Sequence, residues 1–514
     1  MDWAFIAATM ARRGLLTPGR PDRIVRQFAS LGRWGFGLAG ELRQAASRSP
    51  DRVAVIDDER TVTYTELLDR AGRLARALPV KPGERVGLLC RNSARMIEAL
   101  IGVTILGADP VLVNTGLSAH QLDAVGREQE LSALIHDDEF TDRVGMLDCT
   151  LDERRVEQLI AAAPDGPPAP PGRPGRTIVL TSGTTGVPKG ARRPTPGGFR
   201  PLCSVIDRIP LRAGDRIMIA APLFHTWGFA GMQIALALRA TIVLRRRFDP
   251  ADTRTALAEH RVDGLVAVPV MVRQLMDLEP GGEPRTLRVA AVSGSALPGG
   301  LATRFMDRYG DVLYNLYGST EASWVSIATP ADLRADPATA GRPPYGTRVV
   351  VLGDDDRPAP PGVTGRIFVG NEMLFEGYTG DRPASEMVEG LLGIGDVGHF
   401  DADGRLFVDG RADDMIVSGG ENVFPAEVED LLAALPQVRE VAVIGVPDPE
   451  WGQRLAAYLV VSPGGQLDAE AVREHVRRHR ARFCVPRDVV FLGELPRNAT
   501  GKVLTRELPR SAPG

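Results

Sequence analysis

The stretch Thr181-Ser182-Gly183-Thr184-Thr185-Gly186-Val187-Pro188-Lys189-Gly190 directly follows the apolar run Thr177 to Leu180. The run reads as a buried strand, and the segment after it as a loop built to hold an anion. Its glycines let the backbone approach a phosphate, its hydroxyls can donate to phosphate oxygens, and Lys189 adds a compact positive charge on a flexible stem. A Walker A loop is excluded, because that motif needs Gly-Lys before Ser or Thr, and the sole Gly-Lys here, Gly501-Lys502, precedes Val503. A strand that feeds a phosphate loop belongs to an α/β architecture.

The flanking sequence agrees. Thr63 and Glu66 form a capping-box pattern opening a helix toward Leu78, and Arg85 to Leu89 reads as a short buried strand. The alternation continues through a helix over Ala94 to Leu106, a strand over Pro110 to Val113, a helix over Ala119 to Gln129 and a strand over Ser132 to His136. Further strands are expected at Ile217 to Ala220, Ala240 to Leu244 and Gly264 to Val268. Such alternation predicts parallel sheets covered by helices. After about Pro343 short strands and turns predict a small β-rich subdomain, and from Asp414 a compact α+β segment follows. The expected organisation is a large N-terminal domain over 1–412 and a small, mobile C-terminal domain over 413–514.

Composition narrows the class. Hydrophobic residues make up 44% and charged residues 25%, which is ordinary globular composition. A net charge of −4 offers no reason to expect nucleic acid. Four scattered cysteines without a CxxC form neither a disulfide framework nor a zinc cluster, and no export signal is evident, so a cytoplasmic protein is expected. Of 61 basic residues only three, Lys81, Lys189 and Lys502, are lysine. Where arginine serves nearly everywhere, a surviving lysine marks a place where shape matters.

The N-terminal region holds two decoys. Gly35-Phe36-Gly37-Leu38-Ala39-Gly40 matches GxGxxG, but it follows a helical pattern rather than a buried strand and is not read as a dinucleotide site. Ile24, Phe28, Leu31, Leu38 and Leu42 recur at helical spacing between Asp22 and Ser47 beside several arginines. That pattern suits a docking helix or, as a secondary expectation, weak peripheral contact with a membrane surface.

With the cradle at Thr181 to Gly190, further motifs occur in order: Pro222-Leu223-Phe224-His225-Thr226-Trp227-Gly228, Tyr317-Gly318-Ser319-Thr320-Glu321, Gly395-Asp396, Gly410-Arg411-Ala412-Asp413-Asp414, Ser418-Gly419-Gly420-Glu421-Asn422 and Asn498-Ala499-Thr500-Gly501-Lys502. Together they resemble the adenylate-forming superfamily over roughly residues 40 to 510. The texture is most similar to that of bacterial fatty-acyl-CoA synthetases.

The resemblance implies ATP, Mg²⁺ and coenzyme A acting on a small carboxylic acid. Thr181, Ser182, Gly183, Thr184, Thr185, Gly186 and Lys189 would cradle phosphate, Glu321 would hold Mg²⁺, and Thr320 would bond a phosphate oxygen. Tyr317 would stack on adenine, with Gly294, Ser295, Ala296, Asn315 and Gly318 around it, while Asp396 and Arg411 would engage the ribose. Lys502 would bridge the carboxylate and the α-phosphate. Asp413 would be the hinge about which the C-terminal domain swings to bring Gly419 and Gly420 to the thiol arm of CoA.

His225 selects the branch. An amino-acid-activating member would be expected to carry an Asp soon after Phe224, and Phe224 to Gly231 contains none. Glu321 and Asp396 lie 75 positions apart, without the insertion expected of ligases that load carrier proteins. One departure stands out, Ile394 where the resemblance calls for Thr or Ser before Gly395. The expected acyl pocket comprises His225, Trp227, Phe229, Met232 and Trp324, and bulky Trp324 admits a medium-chain or aromatic acid as readily as a long chain. The leading expectation is an AMP-forming acyl-CoA synthetase. The alternatives are an enzyme passing its adenylate to a carrier protein, amine or other nucleophile, and a silent nucleotide-binding homologue.

Overall fold

A computed structural model describes residues 2–145, 147, 149–164, 166, 168–181, 188–380, 386–418, 421–448, 452–498 and 501–509 of the 514-residue chain. Among these residues the strands form four sheets. Two are mainly parallel. The larger runs, from edge to edge, Ser326–Ala328, Leu313–Tyr317, Val289–Val292, Gly264–Ala267, Arg216–Ile219, Thr241–Val243, Val53–Ile56 and Thr61–Thr63, with only its two edge strands antiparallel. The second runs Thr150–Leu151, Leu131–His136, Arg85–Leu89, Asp109–Leu112, Ile178–Thr181 and Lys189–Arg192, antiparallel only at the last pair. Their strands are short and almost wholly buried, as parallel strands covered on both faces must be.

Local chemistry sets the helix ends. Ser93 caps the helix Ala94–Leu106 through its hydroxyl and the Met96 N–H, and Gly107 closes it in the left-handed region at φ 86°. The capping box at Thr63 and Glu66 forms in full. Inside the wall of helices, Glu98 is almost fully buried between Arg60 and Arg70 at 2.9 and 2.8 Å. Two cations on one buried carboxylate offset its desolvation.

The third sheet is antiparallel and contains Arg348–Leu352, Gly365–Gly370, Leu391–Phe400, Met387–Val388 and Leu406–Arg411. The fourth joins Glu421–Val423, Ile416–Ser418, Gly452–Val461, Val438–Asp448 and Asp488–Phe491 with the helices Pro425–Ala433 and Ala469–His479, around a core of its own.

Strands and helices fall within a few residues of their sequence-based positions. The N-terminal stretch differs. Its helical pattern breaks into Pro21–Trp34 and Leu38–Arg48 at Gly35, whose φ of 73° favours glycine. The two halves fold against one another through Gln27–Gln44 and Ser30–Ser47 hydrogen bonds of 2.7 and 3.0 Å. Leu38 and Leu42 face the core, so the second half docks on the body of the chain. Among the described residues no helix is long and apolar enough to cross a membrane.

Candidate active site

The two parallel sheets deliver their functional loops at the carboxyl ends of their strands, the usual place for a ligand in such folds. Thr181 ends Ile178–Thr181, Gly294 follows Val289–Val292, and Tyr317 to Glu321 leave Leu313–Tyr317. His225 lies beyond Arg216–Ile219 and opens the helix Thr226–Ala237. Asn92, buried between the sheets, holds that loop: its amide donates to Ile219 O and Ala221 O at 3.2 and 3.0 Å and its oxygen accepts from Leu223 N at 2.8 Å. Gly228 lets the helix start tight against the loop, since a Cβ there would lie 2.2 Å from Pro222 O. The Asn92 brace was not legible in the sequence, where an Asn after a strand reads as a turn residue.

These loops surround a cavity of about 450 Å³. Thr181, Lys189, His225, Trp227, Gly294, Gly318, Thr320, Glu321, Trp324, Arg411, Asp413 and Lys502 all line it, so residues 189 and 502, far apart in sequence, meet at one site. Thr320 and Thr226 share a hydroxyl–hydroxyl hydrogen bond of 2.9 Å. Glu321 Oε1 accepts from the Tyr378 hydroxyl at 2.7 Å, and its second oxygen takes no hydrogen bond from any described residue. The Lys189 ammonium sits 5.5 Å from the centre of the same Tyr378 ring. Buried Arg193 donates to Thr320 O and to Ser323 Oγ and lies beside Glu321, whose charge favours the guanidinium while burial pulls it down to about 10. Tyr378 and Arg193 were missed in the sequence, where a Tyr between glycines and one arginine among many carry no signal.

Asp396 and Arg411 face each other in register across the third sheet, guanidinium to carboxylate at 3.3 Å. The Tyr317 hydroxyl donates to Asp396 Oδ2. Burial raises the Asp396 carboxyl above its ordinary value, opposed by the Tyr317 hydrogen bond and by the charges of Arg411 and Lys502. Ile394 packs in the apolar core of this sheet, and only its carbonyl reaches Arg411, at 3.4 Å.

Lys502 arrives from the C-terminal sheet on a small hairpin closed by Asn498 and Lys502 backbone bonds. Glu440, 7% exposed at its side chain, is clasped between Arg273 of the large domain and Arg497 of the hairpin, both at 2.7 Å. Gly501, at φ 82°, seats the hairpin directly on the helix Pro269–Met276, where a Cβ would meet Val270 at 2.4 Å.

His225 lines the cavity. Burial pushes its imidazole down to about 4, and Nδ1 has no hydrogen-bond partner among the described residues. It is a neutral ring with an unused polar atom.

The cavity lining does not take in every expected residue. Phe229 and Met232 are fully packed in the core and do not reach the cavity, because they lie on the face of Thr226–Ala237 opposite Ala230 and Ile234. Trp227 does line it, but its indole N–H is satisfied by Ala267 O at 3.0 Å. Tyr317, Asn315, Ser295 and Ala296 stand beside the cavity rather than in its lining. Ser182, Gly183, Thr184, Thr185, Gly186, Gly419 and Gly420 lie outside the described residues. The apolar wall also includes Phe36, Phe199 and Leu202, which sequence spacing did not single out.

Two family models match the chain, "AMP-binding enzyme" over residues 42–379 and "AMP-binding enzyme C-terminal domain" over residues 427–502. The chain belongs to the AMP-binding enzyme family. This AMP-binding enzyme is 35% identical to a feruloyl-CoA synthase of Amycolatopsis sp over 487 residues, covering 92% of this chain and 99% of the relative. To the indoleacetate–CoA ligase of Aromatoleum aromaticum it is 34% identical, covering 89% and 94%. Among solved structures, o-succinylbenzoate CoA synthetase of Bacillus subtilis with its acyl-adenylate superimposes with a TM-score of 0.81 at 29% identity, covering 91% of this chain and 97% of that one. An amide bond synthetase of Marinactinospora thermotolerans gives 0.83 at 28%, covering 91% and 98%.

Proposed function

We propose that the acid activated by this AMP-forming acid–CoA ligase is an aryl acid. The enzyme uses ATP, Mg²⁺ and CoA: the acid's carboxylate oxygen bonds to the α-phosphorus as pyrophosphate leaves, and the thiol then displaces AMP from the carbonyl. The observation that carries the aryl reading is the ring-lined cavity wall, where Phe36 and Phe199 meet edge to face at 4.9 Å and Phe224, Trp227 and Trp324 add further rings. The aryl acids in the relatives' names support it.

The residues suit the chemistry. Two anions must meet in the first step, and Lys189 and Lys502 bring point charges to the cavity from opposite domains. Lys502 is assigned to the reacting carboxylate and α-phosphate, Lys189 and Thr320 to phosphate oxygens, and Asp396 with Arg411 and Tyr317 to the nucleoside. Glu321, a hard oxygen donor with one uncommitted oxygen, fits Mg²⁺, which when bound neutralises phosphate charge. His225 stays neutral and walls the carboxylate end against water. Asp413, 62% exposed at its side chain, is assigned as the hinge between domains spanning 1–412 and 413–514. For the second step the Glu440 clasp must open. A cytoplasmic location fits four free cysteines.

The likeness to an amide bond synthetase favours one competing acceptor, an amine. The test is pyrophosphate release across aryl and fatty acids, followed by product mass with CoA or an amine. Aryl-dependent release with thioester formation is expected. Release with fatty acids only would overturn the aryl reading, and amide formation without thioester would overturn the acceptor.

A further inference from the structure

The helix Thr226–Ala237 turns Thr226, Ala230, Ile234 and Ala237 toward the cavity, so at 1.5 Å per residue the cavity wall extends about 16 Å from the reaction centre. At the far end the wall ceases to be apolar. Glu41, on the helix Leu38–Arg48, lines both this cavity and a water-sized space of about 20 Å³ behind it. One carboxylate oxygen, Oε2, accepts from Gln44 Nε2 at 3.2 Å, and the other takes no hydrogen bond from any described residue. Gln44 is itself fixed, accepting from Gln27 at 2.7 Å and lying 3.3 Å from Leu236 O and Ala237 O. Arg239 lines the same small space, is 6% exposed, stands at a left-handed φ of 53°, and leaves Nη1 without a partner. It forms no ion pair with Glu41 among the described residues.

Glu41 is half-buried and lines the cavity, so an acid without a donor there would cover that oxygen and leave it unpaired, which is costly. Burial pushes the Glu41 carboxyl up to about 8, against the opposing Gln44 hydrogen bond and the charge of Arg239. We infer that Glu41 is a specificity-determining residue that accepts a hydrogen bond from a donor, a hydroxyl or N–H, on the end of the acid remote from its carboxylate. Gln44 positions it, and Arg239 Nη1 offers a complementary donor to the same substituent. A site built around such a bond discriminates against acids that lack the donor, because their binding leaves the carboxyl unpaired. The aryl reading enters only in the choice of probe.

The experiment measures kcat/KM for pyrophosphate release with matched acids differing only at the remote end: hydroxyl, amino, methoxy and hydrogen. Both donor-bearing acids should exceed the methoxy and unsubstituted ones by about tenfold or more in the wild type, with the hydroxyl and amino arms telling which donor is preferred. E41L should collapse that ratio toward one, mainly through KM, while E41Q, which retains an acceptor, should keep part of it. A ratio near one in the wild type, or an undiminished ratio in both variants, overturns the inference. Should E41L fail to fold, loss or retention of the ratio in E41Q decides. If aryl acids are inert and chain acids are turned over, the aryl reading fails alone, and ω-hydroxy against unsubstituted chain acids supply the same ratio.

Discussion

The two ends of the 450 Å³ cavity are built on different principles. At the reaction end charged groups converge from loops that follow parallel strands and from a hairpin of the other domain. Their identities are constrained by the charge they handle, and near-neighbours do not substitute: of three lysines in the chain, two lie here. At the end proposed for the acid the wall is made largely by helices, chiefly Thr226–Ala237 and Arg200–Arg208, with Glu41 of Leu38–Arg48 adding a carboxyl. On the proposed reading, the charged end serves any acid the enzyme accepts, and the choice of acid rests on the helical wall.

The largest effect that would sharpen this division is at Glu321. Glu321→Gln should lower kcat/KM for pyrophosphate release by about 100-fold or more, equally for every acid, because an electrostatic partner of the phosphates is lost. Unequal losses across acids would break the separation. Trp324, whose indole donates to Thr347 Oγ1 at 3.0 Å, lines the cavity and is proposed for its acyl end. Trp324→Ala should cost the preferred acid roughly tenfold in kcat/KM, improve bulkier acids, and leave the KM for ATP unchanged.

His225 gives a smaller, pH-dependent effect. Its imidazole is near 4 in the folded chain against an ordinary 6.5, so the unfolded state binds the proton first. The stability that depends on a neutral His225 is complete above about pH 6.5 and is lost as the pH falls toward 4. Melting temperatures between pH 7.5 and 4.5 should fall more steeply for the wild type than for His225→Gln. The smallest effect is at Lys81, exposed in a turn where its backbone is engaged by Glu84, the N–H donating to the Glu84 carboxylate at 2.7 Å and the carbonyl accepting from the Glu84 N–H at 3.1 Å. Lys81→Arg should change stability by less than about 0.5 kcal/mol and leave activity unaltered.

The same division explains what could be read from the sequence. Strand and helix positions were legible because buried parallel strands are short apolar runs and a helix can carry its cap in sequence, as at Thr63. Lys189, Thr320, Glu321 and Lys502, each singled out by its local motif, do come together at the cavity, and Asp396 pairs with Arg411 beside it. The acyl end was not legible. Phe229 and Met232 are as apolar as Ala230 and Ile234, and a helix apolar on all faces gives no periodicity to tell cavity from core. Phe36 and Glu41 were hidden because they reach the cavity only after Gly35 breaks the N-terminal helix and folds its second half against the body. Asn92, Arg193 and Tyr378 act through contacts across sheets, which no local pattern encodes.

The claim that a lysine crosses from the small domain to complete the reaction end is tested most directly by separating the two half-reactions in Lys502→Ala. Adenylation, followed as acid-dependent pyrophosphate release, should fall by roughly 10² to 10³ or more, and Lys502→Arg should not restore it, since a planar guanidinium does not replace a compact ammonium. Thioester formation from supplied acyl-adenylate and CoA should stay within a few-fold of the wild type. Equal loss of both half-reactions, or full adenylation with arginine at 502, would contradict the account.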